Sequence, residues 1–118
     1  MVSKSSPSGA LQAFKAEFFK TLGHPVRIGI LERLVAGERS VQDLQAILDL
    51  EQPIVSQHLA VLRAKNIVKA RKEGSTVWYR IRVASIGELL AIARRIFDSH
   101  LIDSQTMLRE LRREGRRR

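Results

Sequence analysis

The sequence predicts a mainly α-helical chain that carries one small β-hairpin, and three observations support this. Apolar residues recur at i, i+3, i+4 and i+7 through most of the 118 residues, the period of helices with one buried face. That period is lost only between Ile67 and Arg82, where β-branched and aromatic residues flank Gly74-Ser75, a two-residue hairpin signal. Capping residues, proline and glycine stand where the helical segments start and stop.

In the first helical segment, Ala10 to Leu22, Leu11, Phe14, Phe18 and Leu22 share a stripe with Phe19 beside it. Gly23-His24-Pro25 ends that segment, and Pro25 suits the first position of the next helix, where its missing N–H has no partner to lose. The second helix shows Ile28, Leu31, Leu34 and Val35, then ends near Ala36 with Gly37 as its C-cap. Ser40 caps a third helix, with Asp43 completing a capping box; Val41, Leu44, Leu48 and the adjoining Ile47 form its apolar side. Asp49-Leu50-Glu51 turns the chain into a fourth helix, Pro53 to Lys65, and Asn66 stands where a left-handed residue ends a helix. The hairpin strands are Ile67 to Glu73 and Thr76 to Arg82. Ser85 and Glu88 then open a long helix that runs to about Leu111. Its Leu89, Leu90, Ile92, Ile96, Leu101, Met107, Leu108 and Leu111 exceed what a small core needs, so the first and last helices are the expected homodimer surface. Residues 1–9 read as a disordered N-terminus, 10–111 as one domain and 112–118 as a basic, disordered tail.

The fourth helix organises the rest. Val55, Leu59 and Leu62 fall on one side, while Pro53, Ser56, Gln57, Ala60 and Ala64 fall on the opposite arc at about 100° per residue. The outer arc has no acid, short hydrogen-bonding groups near its N-terminus and alanines behind them, so it suits close approach to base edges and phosphates. With the third helix it forms a helix-turn-helix, and the basic hairpin that follows is a wing: the fold class is a winged helix-turn-helix. Ser56 and Gln57 are the candidate base readers, with Pro53 on the same face and Gln52 placed to cap the helix, to bond a base, or to do both. His58 lies on the flank, where it either contacts a phosphate or packs the helix. Arg63 and Lys65 offer phosphate contacts or remain solvated charges. Lys69, Arg71 and Lys72 near the hairpin tip, with Ser75 and Thr76 at its turn, complete the expected DNA-binding set. Trp78 is expected to cover its own sheet, and His24 to sit at a helix start.

The totals agree with that reading. A net charge of +9 is the footprint of a polyanion binder, here double-stranded operator DNA. Without cysteine there is no disulfide, thiolate metal site or thiol sensor. No apolar run approaches the ~18 residues of a membrane span, and no signal-peptide core precedes the first helix, so a cytoplasmic protein is expected. An enzyme is not: the three histidines are scattered, no Gly-rich phosphate loop exists, and Ser56 and His58 lie about 200° apart on their helix. No cofactor is called for. Two rivals use the same fold: a protein–protein module that meets an acidic partner, and a sequence-indifferent nucleoid-type DNA binder.

Phe19-Lys20-Thr21-Leu22-Gly23-His24-Pro25-Val26-Arg27-Ile28 with Ile30-Leu31 resembles the opening of ArsR/SmtB-type bacterial repressors. Val55-Ser56-Gln57-His58-Leu59 with Val61-Leu62-Arg63 is similar to that family's recognition-helix signature, and Val77-Trp78-Tyr79-Arg80-Ile81 fits its wing. The resemblance spans about Ala16 to Ile96. It implies a homodimeric repressor that binds a palindromic operator, usually upstream of its own operon, until an inducer weakens binding. The family's metal sites are not matched. Ser40 and Gln42 stand where one site needs thiolates, and Val83, Ser85, Ile96 and Ser99 stand where the other needs His and carboxylates. Asp98 and His100, with Glu110 and Glu114 downstream, read as a solvated helix end, since Asp98 and His100 do not share a face; the alternative is a non-standard zinc site completed across the dimer by a partner's carboxylates. The expected signal is therefore a non-metal one, of unknown identity.

Overall fold

A computed structural model describes residues 7–117 of the chain. They form α1 (Pro7–Leu22), α2 (Pro25–Val35), β1 (Arg39–Ser40), α3 (Val41–Leu48), α4 (Gln52–Ala64), β2 (Val68–Glu73), β3 (Thr76–Ile81) and α5 (Ser85–Arg117). The described residues fall into two compact units: those up to Ala84, with four helices and the sheet, and those from Ser85, which form the long helix. No helix among the described residues is long and apolar enough to cross a membrane.

The first unit closes around α4. Val55, Leu59 and Leu62 have no solvent exposure, and they meet Ile30 and Leu31 of α2 and Leu44 of α3 in the same dry core. Burying each such side chain is worth about 1.5–3 kcal/mol of transfer free energy, enough to fix which side of α4 faces inward. The buried side of α2 differs from the expected one. Ile30, Leu31 and Leu34 are buried, whereas Val35 is half exposed. Because α2 packs against α3, α4 and β3 at once, its buried arc is wide and centred on Ile30. Gly29 allows the close approach to α3: a Cβ there would stand 3.3 Å from Leu48 Cδ2.

Local chemistry sets the boundaries. Pro25 lies in the first turn of α2, and Ser40 makes both hydrogen bonds of a capping box with Asp43, at 3.0 and 3.2 Å. Asp49 takes a left-handed conformation (φ 54°) in the turn between α3 and α4. Asn66 (φ 59°) ends α4 in a Schellman arrangement, its own N–H donating to the Arg63 carbonyl and the Ile67 N–H to that of Leu62. In the wing, Gly74 (φ 62°) has positive φ while Ser75 does not, the pattern of a type II′ turn.

The strands run antiparallel in the order β1-β3-β2. Lys69 faces Arg80, Arg71 faces Trp78 and Lys72 faces Val77. Strand β1 was not expected: two residues are too short to show a period, and only pairing of Arg39 with Tyr79 and Ser40 with Trp78 makes them a strand. Two boundaries also move. Helix α1 begins at Pro7, so the expected N-terminal segment is helical from that residue, and residues 1–6 lie outside the described ones. Helix α5 continues through Arg117, past the expected end at Leu111, so residues 112–117 are not a separate tail; Arg118 lies outside the described residues. Arginine is a good helix former and cations suit a helix C-terminus, so the run of charge does not stop the helix.

The left-handed site gives a stability prediction. Asn66→Ala should cost about 1 kcal/mol, because alanine keeps the Cβ that opposes a left-handed conformation and loses the short polar side chain that offsets it, while Asn66→Gly, with no Cβ, should be neutral or stabilising. Urea unfolding of the three proteins measures the difference; equal midpoints for Ala and Gly would contradict it.

Candidate nucleic acid interface

With its apolar side sealed, α4 presents the opposite side to solvent. Gln52, Pro53 and Gln57 are exposed, Ser56 is half-buried, and Ala60 and Ala64 continue the exposed side toward the C-terminus. Gln52 is the first residue of the helix, and Glu51, at the N-cap, makes no side-chain cap bond. Rather than capping, Gln52 donates through Nε2 to Ser56 Oγ at 3.2 Å, which leaves its Oε1 as an acceptor. Gln57 makes no side-chain hydrogen bond among the described residues. The exposed start of α4 therefore carries a pre-organised amide–hydroxyl pair beside a second amide, the groups that read base edges in pairs of donors and acceptors.

His58 is turned inward. It is half-buried, and its Nδ1 accepts a hydrogen bond from Arg27 Nε at 3.2 Å. Burial first, then the neighbouring His24 and Arg27, hold its pKa below the ordinary histidine value. His24 is the N-cap of α2, its Nδ1 accepting from the Val26 N–H at 3.1 Å.

The wing places its cations differently from the expected arrangement. Lys72 is near the turn, as expected, with Ser75 and Thr76 in and beside it, but Lys69 lies at the base of β2, four residues before Glu73. Arg71 is not a free cation. It grips Glu38 with a two-pronged hydrogen bond (Nη2 to Oε1 at 2.6 Å, Nε to Oε2 at 2.9 Å), its Nη1 bonds Glu73, and its guanidinium lies 5.6 Å from the Trp78 ring centre. Those bonds hold the Glu38 carboxyl below the usual carboxylate range and raise the already high pKa of Arg71. Arg71 thus closes the wing against the segment before β1. The pairing partner of the wing was invisible in sequence, since Glu38 lies 33 residues away.

A second cationic cluster was missed. Arg63, at the end of α4, and Lys69 and Arg82, at the base of the wing, line an open cleft of about 280 Å³ with Asn66, Val68 and Ala70. No carboxylate lines it, and none of the three cations has an acidic partner among the described residues. The only sequence hint for Arg82 was its place at the end of the second strand; its N–H donates to the Ile67 carbonyl at 2.9 Å, which extends the hairpin toward α4. Lys65 is exposed at the C-cap of α4 and does not line the cleft. Asp98, His100, Glu110 and Glu114 are exposed on α5, and no three metal-binding side chains gather among the described residues.

A helix-turn-helix with a sealed inner face, a polar outer face and a basic hairpin after it defines the class: a winged-helix DNA-binding regulator. A sequence model described as "Bacterial regulatory protein, arsR family" matches residues 24–70. The chain is 46% identical over 109 residues to the uncharacterized HTH-type transcriptional regulator Rv0081 of Mycobacterium tuberculosis (strain H37Rv), covering 92% of this chain and 96% of that protein. The biofilm growth-associated repressor of Agrobacterium fabrum is 40% identical over 82 residues, 70% of each chain. The crystal structure of M. tuberculosis Rv0081 superposes with a TM-score of 0.74, over 85% of this chain and 98% of that one. A homodimeric winged helix-turn-helix DNA-binding domain from Mycobacterium bovis, solved by NMR, gives 0.73 at 31% identity, over 86% and 94%. The chain belongs to the ArsR family of bacterial transcriptional regulators.

The clasp at the wing is titratable. Because the Glu38 pKa is lowered in the fold, its contribution is present above the unfolded value of 4.5 and is lost as pH falls through the lower folded one. Trp78, the one tryptophan, should report that loss as a fluorescence change with a midpoint below 4.5. Glu38→Gln should remove the transition; an unchanged titration would separate Glu38 from the wing.

Proposed function

We infer that the chain is a homodimeric repressor that reads a palindromic operator with α4, represses its own operon, and is released by a non-metal signal. The observation that carries this reading is the division of α4: three residues without solvent exposure on one side, and Gln52, Ser56 and Gln57 offered on the other. Two copies of α4 enter successive major grooves about 34–36 Å apart, the usual half-site spacing. Lys72, Ser75 and Thr76 meet the backbone at the wing tip, and the cleft of Arg63, Lys69 and Arg82 seats a phosphate between helix and wing. Lys65 adds a phosphate contact at the end of the helix. Dimerisation is supported by large exposed apolar residues on both terminal helices: Leu11, Phe14 and Phe19 on α1, and Ile92, Ile96 and Phe97 on α5. Release follows when a signal favours a dimer whose two reading helices are wrongly spaced.

The first experiment is binding of the purified protein to the DNA upstream of its own gene and to a scrambled duplex, at low and physiological salt. Preference for the upstream DNA that survives the higher salt is expected. Equal, salt-quenched binding to both would replace this reading with a sequence-indifferent one, and no binding to either would favour a protein partner. Within the site, Gln57→Ala should reduce discrimination between operator and random DNA by about 1–3 kcal/mol. An unchanged specificity ratio would remove Gln57 from the reading set. Arg82→Ala should flatten the log–log salt slope by about 0.9, one phosphate equivalent, whereas Arg71→Ala should leave the slope nearly unaltered because its charge is already neutralised. The reverse order would move the phosphate seat from the cleft to the clasp. Phe14→Glu should shift the protein from dimer to monomer in sedimentation velocity and weaken operator binding with it; a variant that stays dimeric would place the interface elsewhere.

A further inference from the structure

Three nitrogen-bearing side chains meet on the inner flank of α4. Arg27 of α2 donates from Nε to His58 Nδ1 at 3.2 Å and from Nη1 to the Thr21 carbonyl at 3.1 Å, so one guanidinium joins the end of α1, α2 and α4. The His24 ring stands 4.3 Å from the His58 ring, centre to centre, tilted by 39°, and its own Nδ1 accepts the Val26 N–H. A ring nitrogen accepts only when it carries no proton, so both bonds require the neutral imidazole. A proton added to His58 turns acceptor into donor, facing the Arg27 N–H, and sets a second cation beside a guanidinium that never gives up its charge. Burial and the two neighbours already oppose that protonation. The charges that act on His58 come from His24 and Arg27. Glu32 and Arg33 on α2, Asp43 on α3, Asp49 in the turn after it, and Lys69, Arg71, Lys72 and Glu73 on β2 are not among them.

We propose that Arg27 and His58 form a proton-sensitive latch that positions the reading helix, so that acidification through the histidine range loosens α4 and lowers operator discrimination. The latch rests on α4 reading DNA, as inferred above. Both residues are positioning residues and need not touch DNA. The sign of the pH effect separates this role from the alternative one for His58: a histidine that contacts a phosphate binds DNA more tightly when protonated, whereas the latch binds it less selectively. Stability follows the same direction. A lowered folded pKa contributes above the unfolded value of 6.5 and is lost as pH falls from there.

The test uses the full chain and a duplex that the protein itself selects from a random-sequence library at about pH 7.5, with a scrambled duplex as reference. Discrimination between the two is measured by fluorescence anisotropy at constant ionic strength at about pH 7.5, 6.5 and 5.5, spanning the histidine range. The wild type should lose about fivefold in discrimination across that span, one hydrogen bond's worth. His58→Asn keeps an acceptor for Arg27 but does not titrate, so its discrimination should change less than about twofold over the same span, whatever its absolute level. Equal pH dependence in the two proteins, or wild-type discrimination that holds or rises in acid, overturns the latch. Thermal unfolding at each pH runs alongside: pH-dependent melting with constant discrimination overturns the latch and leaves the DNA reading intact. Failure to select any duplex at about pH 7.5 overturns the DNA reading itself, and the positioning role with it.

Discussion

Everything that the exposed face of α4 offers follows from how this one helix is buried. Val55, Leu59 and Leu62 are wholly withdrawn from water against Ile30, Leu31 and Leu44, and once that seam is closed α4 has no rotational freedom left. The seam is dispersive and non-directional, so it sets the azimuth of the helix without specifying any polar contact. Ser56 and Gln57 are displayed because their neighbours in the turn are not. The helix ends are fixed by other means: a left-handed Asp49 before it and a left-handed Asn66 after it bound α4. The amides and hydroxyl that the interface offers are thus held by apolar packing and two backbone turns.

Polar interactions then refine what packing leaves open. Arg71, Glu38, Glu73 and Trp78 lock the wing with exposed groups, an arrangement that contributes more to the direction of the hairpin than to stability, since solvent screens such pairs. Arg27 and His58 act from the other flank, where burial makes a single hydrogen bond more consequential. Between these, the cleft of Arg63, Lys69 and Arg82 gathers cations with no carboxylate in its lining. Some cations are thus paired within the fold and others have no acidic partner among the described residues, which separates Arg71 from the cations of the cleft.

Membership of the ArsR family accounts for the order of the elements and for the helix-turn-helix, while the family's metal positions hold other residues here. With no cysteine in the chain, and with Ser40 used to cap α3 through Asp43, the residue at one family metal position has a different occupation. Ser40 also pairs with Trp78 in the sheet, so its position joins the start of α3 to the wing.

The sequence by itself determined the helices, the hairpin and the two sides of α4, because those depend on periodicities of 3.6 and 2 that a chain displays without being folded. It also determined the caps at Ser40 and Asn66, whose partners lie within a turn or so of each residue. Only the tertiary structure decided which charges are free. Arg71 and Arg82 look alike in sequence, yet one bonds Glu38, 33 residues away, and the other lines an open cleft with Arg63 and Lys69. His58 could not be assigned from its helix alone, because Arg27 reaches it from 31 residues away. Ile30 and Val35 exchanged their expected burial for the same reason: the width of a buried arc is set by how many elements pack on a helix, not by the helix. Local pattern fixes what each segment is, and contacts between distant residues fix what its side chains are available to do.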